Sequence, residues 1–568
     1  MRCISWLVCS LGLVNFPGKI DAGFPFLGQT FEQTGRLVAD GVMTVLDTAV
    51  SGITETVSES NPTEPHGEDG GKLFLGVIKS YMEYETAQVD KGNDNRPKAV
   101  FYDDLGWFYR NGSLSNLDRL PASPNQIQTK FLLYTSPDQL TAEVLDYKDA
   151  ASIQRSGFNP ALPSVVVIHG FKTSSGTASL QWVMLFIDAL FRRQGPGNYI
   201  VVDWSKGAQA PNYWAAAANT QLVGAQLASL IQLLCQVKQT NPSMFQLIGF
   251  SLGSHVSGFA GKRLNAANGG IKLGRIFGMD AAGPLFEHAG PGGRLAKGDA
   301  NIVVAEHGSA DGIKNGGLGI WQQIGDVDFY ANGGKEQPGC GPVFAKALEN
   351  ILKFDFKSVP EAIQCNHNRN WLYVLQTFDP TCQFHSIPCD TYSNAILGRC
   401  IRTFPVEPNQ SMGFYFQNSP TNSKMFFHTN APSRDLSCGY HIKVTILAAK
   451  ASTHGRGTFS VMFVDAKGNE TTPYIIAHDG RLPAGKQAFL LVRSSIAPAA
   501  IKRVKILYHR FCQPDTCFAD TVNIQSVTLA TVANDVVKTS CQGIDMVSDM
   551  WVSLGLRDGK CKTGFRFG

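Results

Sequence analysis

Short runs that are apolar on both faces of a strand, rather than on one, recur along the middle of the chain. They are Phe131–Tyr134, Val165–Ile168, Tyr199–Val202, Phe245–Gly249 and Ile302–Ala305. A strand apolar on both faces must be covered on both, which is the situation of a parallel strand inside an α/β layer structure. Between two of these runs, Val223, Leu227, Leu230/Ile231 and Leu234 fall on one face of a helix from about Asn219 to Val237. Strands alternating with helices predict a doubly wound α/β sheet over residues 98–432. After residue 433 the period changes to two: Tyr440-Ile442-Val444-Ile446, Phe459-Val461-Phe463 and Val504-Ile506-Tyr508 alternate with more polar neighbours. Half-buried antiparallel strands of this kind predict a β-sandwich over 433–540, with 541–568 left as a tail.

Composition narrows the class. At 568 residues the chain is too long for one compact domain. A formal net charge of +4 gives no reason to expect a nucleic-acid partner. With 43% hydrophobic and 17% charged residues, there is much to bury and little charge to prevent it, which excludes general disorder. Arg2, the apolar stretch Ile4–Val14 and the small residue Ala22 read as a signal peptide over 1–22, and so predict secretion. Cys3 and Cys9 leave with that segment. Cys235 falls within the helical pattern and reads as a buried free thiol, while the ten cysteines from Cys340 to Cys561 offer up to five bridges. Sequons at Asn111, Asn409 and Asn469 fit an exported glycoprotein. Residues 23–97 read as an extension or propeptide to which no chemistry can be assigned. Within it Leu73–Met82 is a candidate helix, and the Pro-, Glu-, Asp- and Gly-rich stretch 58–71 is linker-like.

Gly249-Phe250-Ser251-Leu252-Gly253 matches G-x-S-x-G between a strand pattern and a helix pattern. There a sharp turn exposes the serine hydroxyl at the sheet's edge, and makes Ser251 the candidate nucleophile. Its base needs an orienting carboxylate, and in this fold both lie downstream in the order acid, then histidine. Asp280 ends the next strand-like run. Asp299, Asp311, Asp326 and Asp328 compete with it from loop-like sequence, and the downstream histidines are His288, His307, His367, His385 and His428. His367 follows Cys365 at the close of a Cys-bounded loop; His169 and His255 precede Asp280 and read as supporting residues. The run Val165–Ile168 ends in His169-Gly170-Phe171, so the N–H groups of Phe171 and Leu252 are the candidate oxyanion donors. Between Cys340 and Cys365, Pro342 can open a helix with Val343, Phe344, Leu348, Ile351 and Leu352 on one face. That helix is either core or a lid over 341–364 that turns its apolar face toward lipid.

Together these residues resemble the pancreatic lipase family of secreted lipases, over roughly 98–540. The likeness rests on Ile168-His169-Gly170-Phe171, Val202-Asp203-Trp204, Gly249-Phe250-Ser251-Leu252-Gly253-Ser254-His255 and Gly278-Met279-Asp280-Ala281-Ala282-Gly283-Pro284. It continues in Asp328-Phe329-Tyr330-Ala331-Asn332-Gly333-Gly334, Pro338-Gly339-Cys340 and Cys365-Asn366-His367. The resemblance implies an α/β-hydrolase fold, a Ser251–Asp280–His367 triad, oxyanion donors at Phe171 and Leu252, and disulfides Cys340–Cys365 and Cys389–Cys400. It also implies a C-terminal PLAT-like domain, which associates with lipid and with a cofactor protein in such lipases. Three departures matter, the first being that the extension 23–97 has no counterpart in the family pattern. Phe101 and Trp107 stand where many members have an N-terminal disulfide. Of the family's calcium loop only Arg294 and Asp299 match, with Pro291 and Ala296 at positions where acidic ligands are expected. No metal and no cofactor are therefore expected to be required. The implied activity is hydrolysis of acylglycerols at a lipid–water interface. A phospholipase A1 of the same family and a non-catalytic, yolk-type lipid binder are the alternatives. The long 341–364 and 307–327 segments favour acylglycerols, and the presence of all three triad residues disfavours the non-catalytic reading.

Overall fold

The computed structural model describes residues 70–89, 95–340 and 358–561, apart from 112–115, 139–140, 172–179, 268, 381, 383, 397–399, 401–410, 417–423, 430–439, 450–454 and short stretches between 472 and 535. The expected signal peptide, the first part of the extension, the lid residues Val343, Phe344, Leu348, Ile351 and Leu352, and Asn409 lie outside the described residues.

The first described domain is built on a ten-stranded sheet. In chain order its strands are β1 (Lys130–Tyr134), β2 (Glu143–Leu145), β3 (Ser164–Ile168), β4 (Asn198–Asp203), β5 (Phe245–Phe250), β6 (Leu273–Met279), β7 (Ala300–His307), β8 (Val327–Ala331), β9 (Ile387–Pro388) and β10 (Lys424–Phe427). Across the sheet they run β9-β10-β8-β7-β6-β5-β3-β4-β1-β2, and the seven from β10 to β4 are parallel. Strand β3 shows why the run Val165–Ile168 is apolar throughout. Val166 and Ile168 enter one core with Ile200, Val202 and Leu247, while Val165 and Val167 enter the opposite core with Val201, Ile248 and Phe277. Helix α3 (Tyr213–Lys238) and helix α4 (Leu252–Ala267) cover the first face, and α2 (Gln181–Gln194) covers the second. Helix α5 (Ser358–Gln376) supplies Ala362 and Ile363 to the first core and Tyr373 and Val374 to the second.

Several expectations are corrected. The run Phe131–Tyr134 is not parallel: β1 pairs antiparallel with both β4 and β2, one strand from the sheet's edge, and only Phe131 and Leu133 are buried. His367, two residues beyond the bonded Cys365, lies within helix α5, whose first turns from Ser358 take up the last residues of the expected lid segment. Residues 541–558 are not a tail, since Ile544–Val547, Trp551–Gly555 and Arg557–Asp558 are strands of the C-terminal sheets. Those sheets, of six and four strands, share one core that includes Ile442, Val444, Ile446, Phe459, Val461, Phe463, Val504, Ile506 and Tyr508. In place of the missing N-terminal disulfide, Phe101 and Trp107 face each other across a hairpin with ring centroids 5.2 Å apart.

Part of the expected extension or propeptide is integral to this domain. Its helix α1 (Gly70–Val89) packs against α3 and α5, with Val77 fully in the hydrolase core. Ser80 Oγ donates to the Pro211 carbonyl (3.3 Å), Gln88 Nε2 donates to Asp118 Oδ2 (3.0 Å), and Tyr84 meets Trp214 edge-on at 5.7 Å. A Cβ on Gly76 would lie 2.9 Å from the Pro211 carbonyl oxygen and 3.2 Å from its Cα, backbone atoms that cannot swing aside. Gly76→Val is therefore expected to lift α1 from its seat, lowering Tm by several degrees, an effect on the order of 1–3 kcal/mol. The same variant should be cut by trypsin between residues 79 and 98 where the wild-type protein resists, and scanning calorimetry with limited proteolysis checks both.

Candidate active site

The turn from β5 to α4 places Ser251 at the C-terminal edge of the sheet. Its φ of +56° is left-handed, a conformation that costs a non-glycine residue roughly 1–2 kcal/mol. Neighbouring bonds hold it there: Ser251 N–H donates to the Met279 carbonyl (3.0 Å), and Ser254 N–H donates to the Ser251 carbonyl (3.1 Å). The flanking glycines are required by close approach. A Cβ on Gly249 would fall 2.4 Å from the Gly253 oxygen, and one on Gly253 would fall 2.3 Å from the Ile168 oxygen. The chain after β3 comes equally near, since a Cβ on Gly170 would sit 2.7 Å from Ser251 Cβ and 3.2 Å from its Oγ.

That approach brings the loop holding Phe171 beside Leu252, the first residue of α4, whose N–H has no carbonyl one turn before it in the helix. His169 fixes the loop. Its Nε2 accepts from Trp204 N–H (3.1 Å), its Nδ1 donates to the Gly170 carbonyl (2.8 Å), and its own carbonyl accepts from the Trp204 indole (2.9 Å). Burial pushes the His255 imidazole down to about 3, so this ring is neutral and bridges the Leu295 N–H and the Ala282 carbonyl. Both histidines are the supports that their sequence positions suggest.

Asp280 follows β6 and is completely buried. Its Oδ1 accepts from the N–H groups of Gly308 (2.9 Å) and Ser309 (3.2 Å), and its Oδ2 accepts from Ser309 Oγ and from His367 Nδ1 (2.7 Å). Burial by itself would raise this carboxyl, but the His367, Gly308 and Ser309 donors hold it below the usual carboxylate range. An ionised Asp280 can only accept, so His367 Nδ1 carries the proton and Nε2 is left as a basic acceptor. The His367 ring packs 4.6 Å from that of Phe250, the residue before Ser251. The competing acids are engaged elsewhere: Asp299 with Lys262, Asp311 with Lys335, Asp326 with the Val303 N–H, and Asp328 with His307. Burial pushes Asp299 up to about 6 despite its lysine. His307 also meets the Ile320 carbonyl, His385 meets Ser411 and His428 meets Tyr392, while His288 lines a cavity of about 920 Å³ beside α1.

Some of the surroundings carry no motif. Ser309 touches both Asp280 and His367 Nδ1 (3.2 Å). Glu306, opposite Met279 in the sheet, is fully buried; burial first, then the charge of Asp280, push its carboxyl well above the usual range, which favours the neutral acid. The other expected positions are found as follows. Cys340–Cys365 and Cys389–Cys400 are bonded, as is Cys541–Cys561. Cys235 is free and half-buried. Asn111 and Asn469 are exposed.

A strained serine at a strand-to-helix turn, beside an aspartate-bound imidazole on a largely parallel sheet, defines an α/β hydrolase. Comparison with known proteins agrees. The family described as Lipase matches residues 104–434. Hepatic triacylglycerol lipase of Homo sapiens is 33% identical over 347 residues, covering 60% of this chain and 67% of that one. Inactive pancreatic lipase-related protein 1 of Homo sapiens is 32% identical, covering 72% and 86%, and pancreatic triacylglycerol lipase of Equus caballus is 33% identical, covering 62% and 77%. The chain belongs to the pancreatic lipase family and is a carboxylic ester hydrolase.

One residue tests the acid's cradle without removing a polar group. A Cβ on Gly319 would lie 2.2 Å from Asp280 Oδ1. Gly319→Ala is expected to displace the carboxylate, so that the downfield proton resonance of His367 Nδ1–H disappears from the NMR spectrum.

Proposed function

We propose that this protein is a secreted lipase that hydrolyses triacylglycerol at a lipid–water interface. The observation that carries the reading is the 2.7 Å bond from His367 Nδ1 to the buried Asp280, next to the strained turn at Ser251. In this mechanism Ser251 Oγ attacks the ester carbonyl while His367 Nε2 takes its proton. The carbonyl oxygen becomes an oxyanion held by the N–H groups of Phe171 and Leu252. The tetrahedral species collapses, His367 returns the proton to the departing alcohol, and an acyl-Ser251 ester remains. Water then attacks that ester, giving its proton to His367, and a second collapse releases the fatty acid as His367 returns that proton to Ser251 Oγ. Asp280 stays ionised throughout and keeps the imidazole in its productive tautomer.

Triacylglycerol is the favoured substrate because the similar proteins are named for it and because the 341–364 and 307–327 segments are long. The apolar residues Val343, Phe344, Leu348, Ile351 and Leu352 would form a lid tethered by Cys340–Cys365, and the C-terminal sheets would serve as a PLAT-like platform for lipid or a cofactor protein. The signal-like first 22 residues, the disulfides and the exposed sequon asparagines favour export.

Ser251→Ala is expected to abolish hydrolysis of emulsified trioleoylglycerol with Tm nearly unchanged, and Asp280→Asn to lower turnover by about 10⁴-fold through loss of the tautomer. Full turnover by Ser251→Ala would remove it as nucleophile, and preferential release of fatty acid from phosphatidylcholine would make the protein a phospholipase. Each lid side chain moved into lipid is worth about 1.5–3 kcal/mol. Replacing Leu348 and Ile351 by Ser should accordingly depress activity on emulsion much more than on soluble butyrate esters. An equal loss on both substrates would make the segment structural.

A further inference from the structure

The loop from Glu287 to Asp299 is where the family resemblance leads one to look for calcium, and its residues do not fit that ion. A calcium site collects six to eight oxygens, several of them carboxylates. Here Pro291 and Ala296 bring no side-chain oxygen, Glu287 Oε2 accepts from the Trp321 N–H (2.7 Å), and the Arg294 carbonyl and Asp299 already hold a cation of the protein's own. Lys262 Nζ, from α4, donates to the Arg294 carbonyl (2.8 Å) and to Asp299 Oδ2. Asp299 is buried, and its Oδ2 also accepts from the Ala296 N–H (2.9 Å). The Arg294 guanidinium points into the loop, donating to the carbonyls of Ala289 (2.9 Å) and Leu295 (3.0 Å) and to Gln322 Oε1 (3.0 Å). Helix and loop are pressed together at this point: a Cβ on Gly261 would lie 2.2 Å from the Asp299 carbonyl oxygen, and one on Gly258 2.7 Å from Leu295 Cα.

We propose that the ammonium of Lys262 is a built-in replacement for a divalent ion, clamping the 287–299 loop to the helix that begins beside Ser251. An ammonium offers three donors and one positive charge, enough to satisfy one carbonyl and one carboxylate at a contact where a metal would need ligands this chain lacks. A second cation at the same oxygens would meet that charge at contact distance. The clamp matters to the site because the loop's Leu295 N–H donates to His255 Nδ1 (3.2 Å), and the other nitrogen of that ring holds the Ala282 carbonyl (2.8 Å), two residues after Asp280. A covalently attached cation leaves the loop ordered whatever the calcium concentration.

The test uses the full chain and reads Tm and limited proteolysis of the loop alongside ester hydrolysis. Wild-type protein is expected to keep its Tm and protease resistance in EDTA and to gain nothing from millimolar calcium chloride. Lys262→Met keeps the apolar stem and removes the charge; it should lower Tm and speed cleavage within 287–299 about tenfold. Asp299→Asn should do likewise, and the double variant should be little worse than either single one, as expected of direct partners. Loss of Tm in EDTA that calcium restores and magnesium does not would overturn the proposal. So would wild-type stability and protease resistance in Lys262→Met, or additive losses in the double variant. If the variants do not fold, the wild-type chelation experiment decides alone.

Discussion

The Asp280 carboxylate is the point on which the arrangement depends. A fully buried carboxylate with no donors is costly enough to protonate or unfold its surroundings, so both of its oxygens must be met by donors. The donors arrive from two parts of the chain: the Gly308–Ser309 segment after β7, and helix α5 through His367. The strand end, the loop and the helix are thereby brought to one spot by the demand of a single charge. The tautomer of His367 follows from that demand, and with it the basic nitrogen left over for chemistry.

The sheet provides the fixed frame on which this spot can form. Its parallel strands are covered on both sides, and helix α5 draws residues from both cores, so His367 is anchored before and after its own turn of helix. Ser251 is anchored differently, by a turn strained at one residue and relieved by glycines at two. Packing at a few tenths of an ångström holds each in place, and such packing tolerates little change of volume.

Two features lie away from Ser251, Asp280 and His367 and stabilise the domain that carries them. Helix α1 contributes Val77 to the hydrolase core and Tyr84 to the face of Trp214, which makes part of the N-terminal extension integral to that domain. The Lys262–Asp299 pair joins helix α4, which begins just after Ser251, to the 287–299 loop. Both are contacts between segments far apart in sequence, and neither has a local pattern that announces it.

The doubly wound sheet, the strand–turn–helix around Ser251, Asp280 at a strand end and the alternating strands of the C-terminal sheets were legible in the sequence, because period and turn chemistry are local properties. The same locality explains the errors. Phe131–Tyr134 reads as a buried parallel strand, since a run of four residues cannot reveal that only one face of an antiparallel strand near the edge is covered. The strands after Cys541 are short, and their partners lie in earlier sequence. Position after Cys365 and family likeness single out His367 in the sequence, whereas the 2.7 Å bond that distinguishes it from the other histidines joins positions 87 residues apart. Ser309, Glu306 and Lys262 look like ordinary polar residues until the fold surrounds them. Sequence by itself determined which segments become strands and helices and which serine stands at the elbow. Only tertiary structure decided which histidine, which acid and which lysine would be paired, because burial turns an unpaired charge into a cost that distant residues must meet.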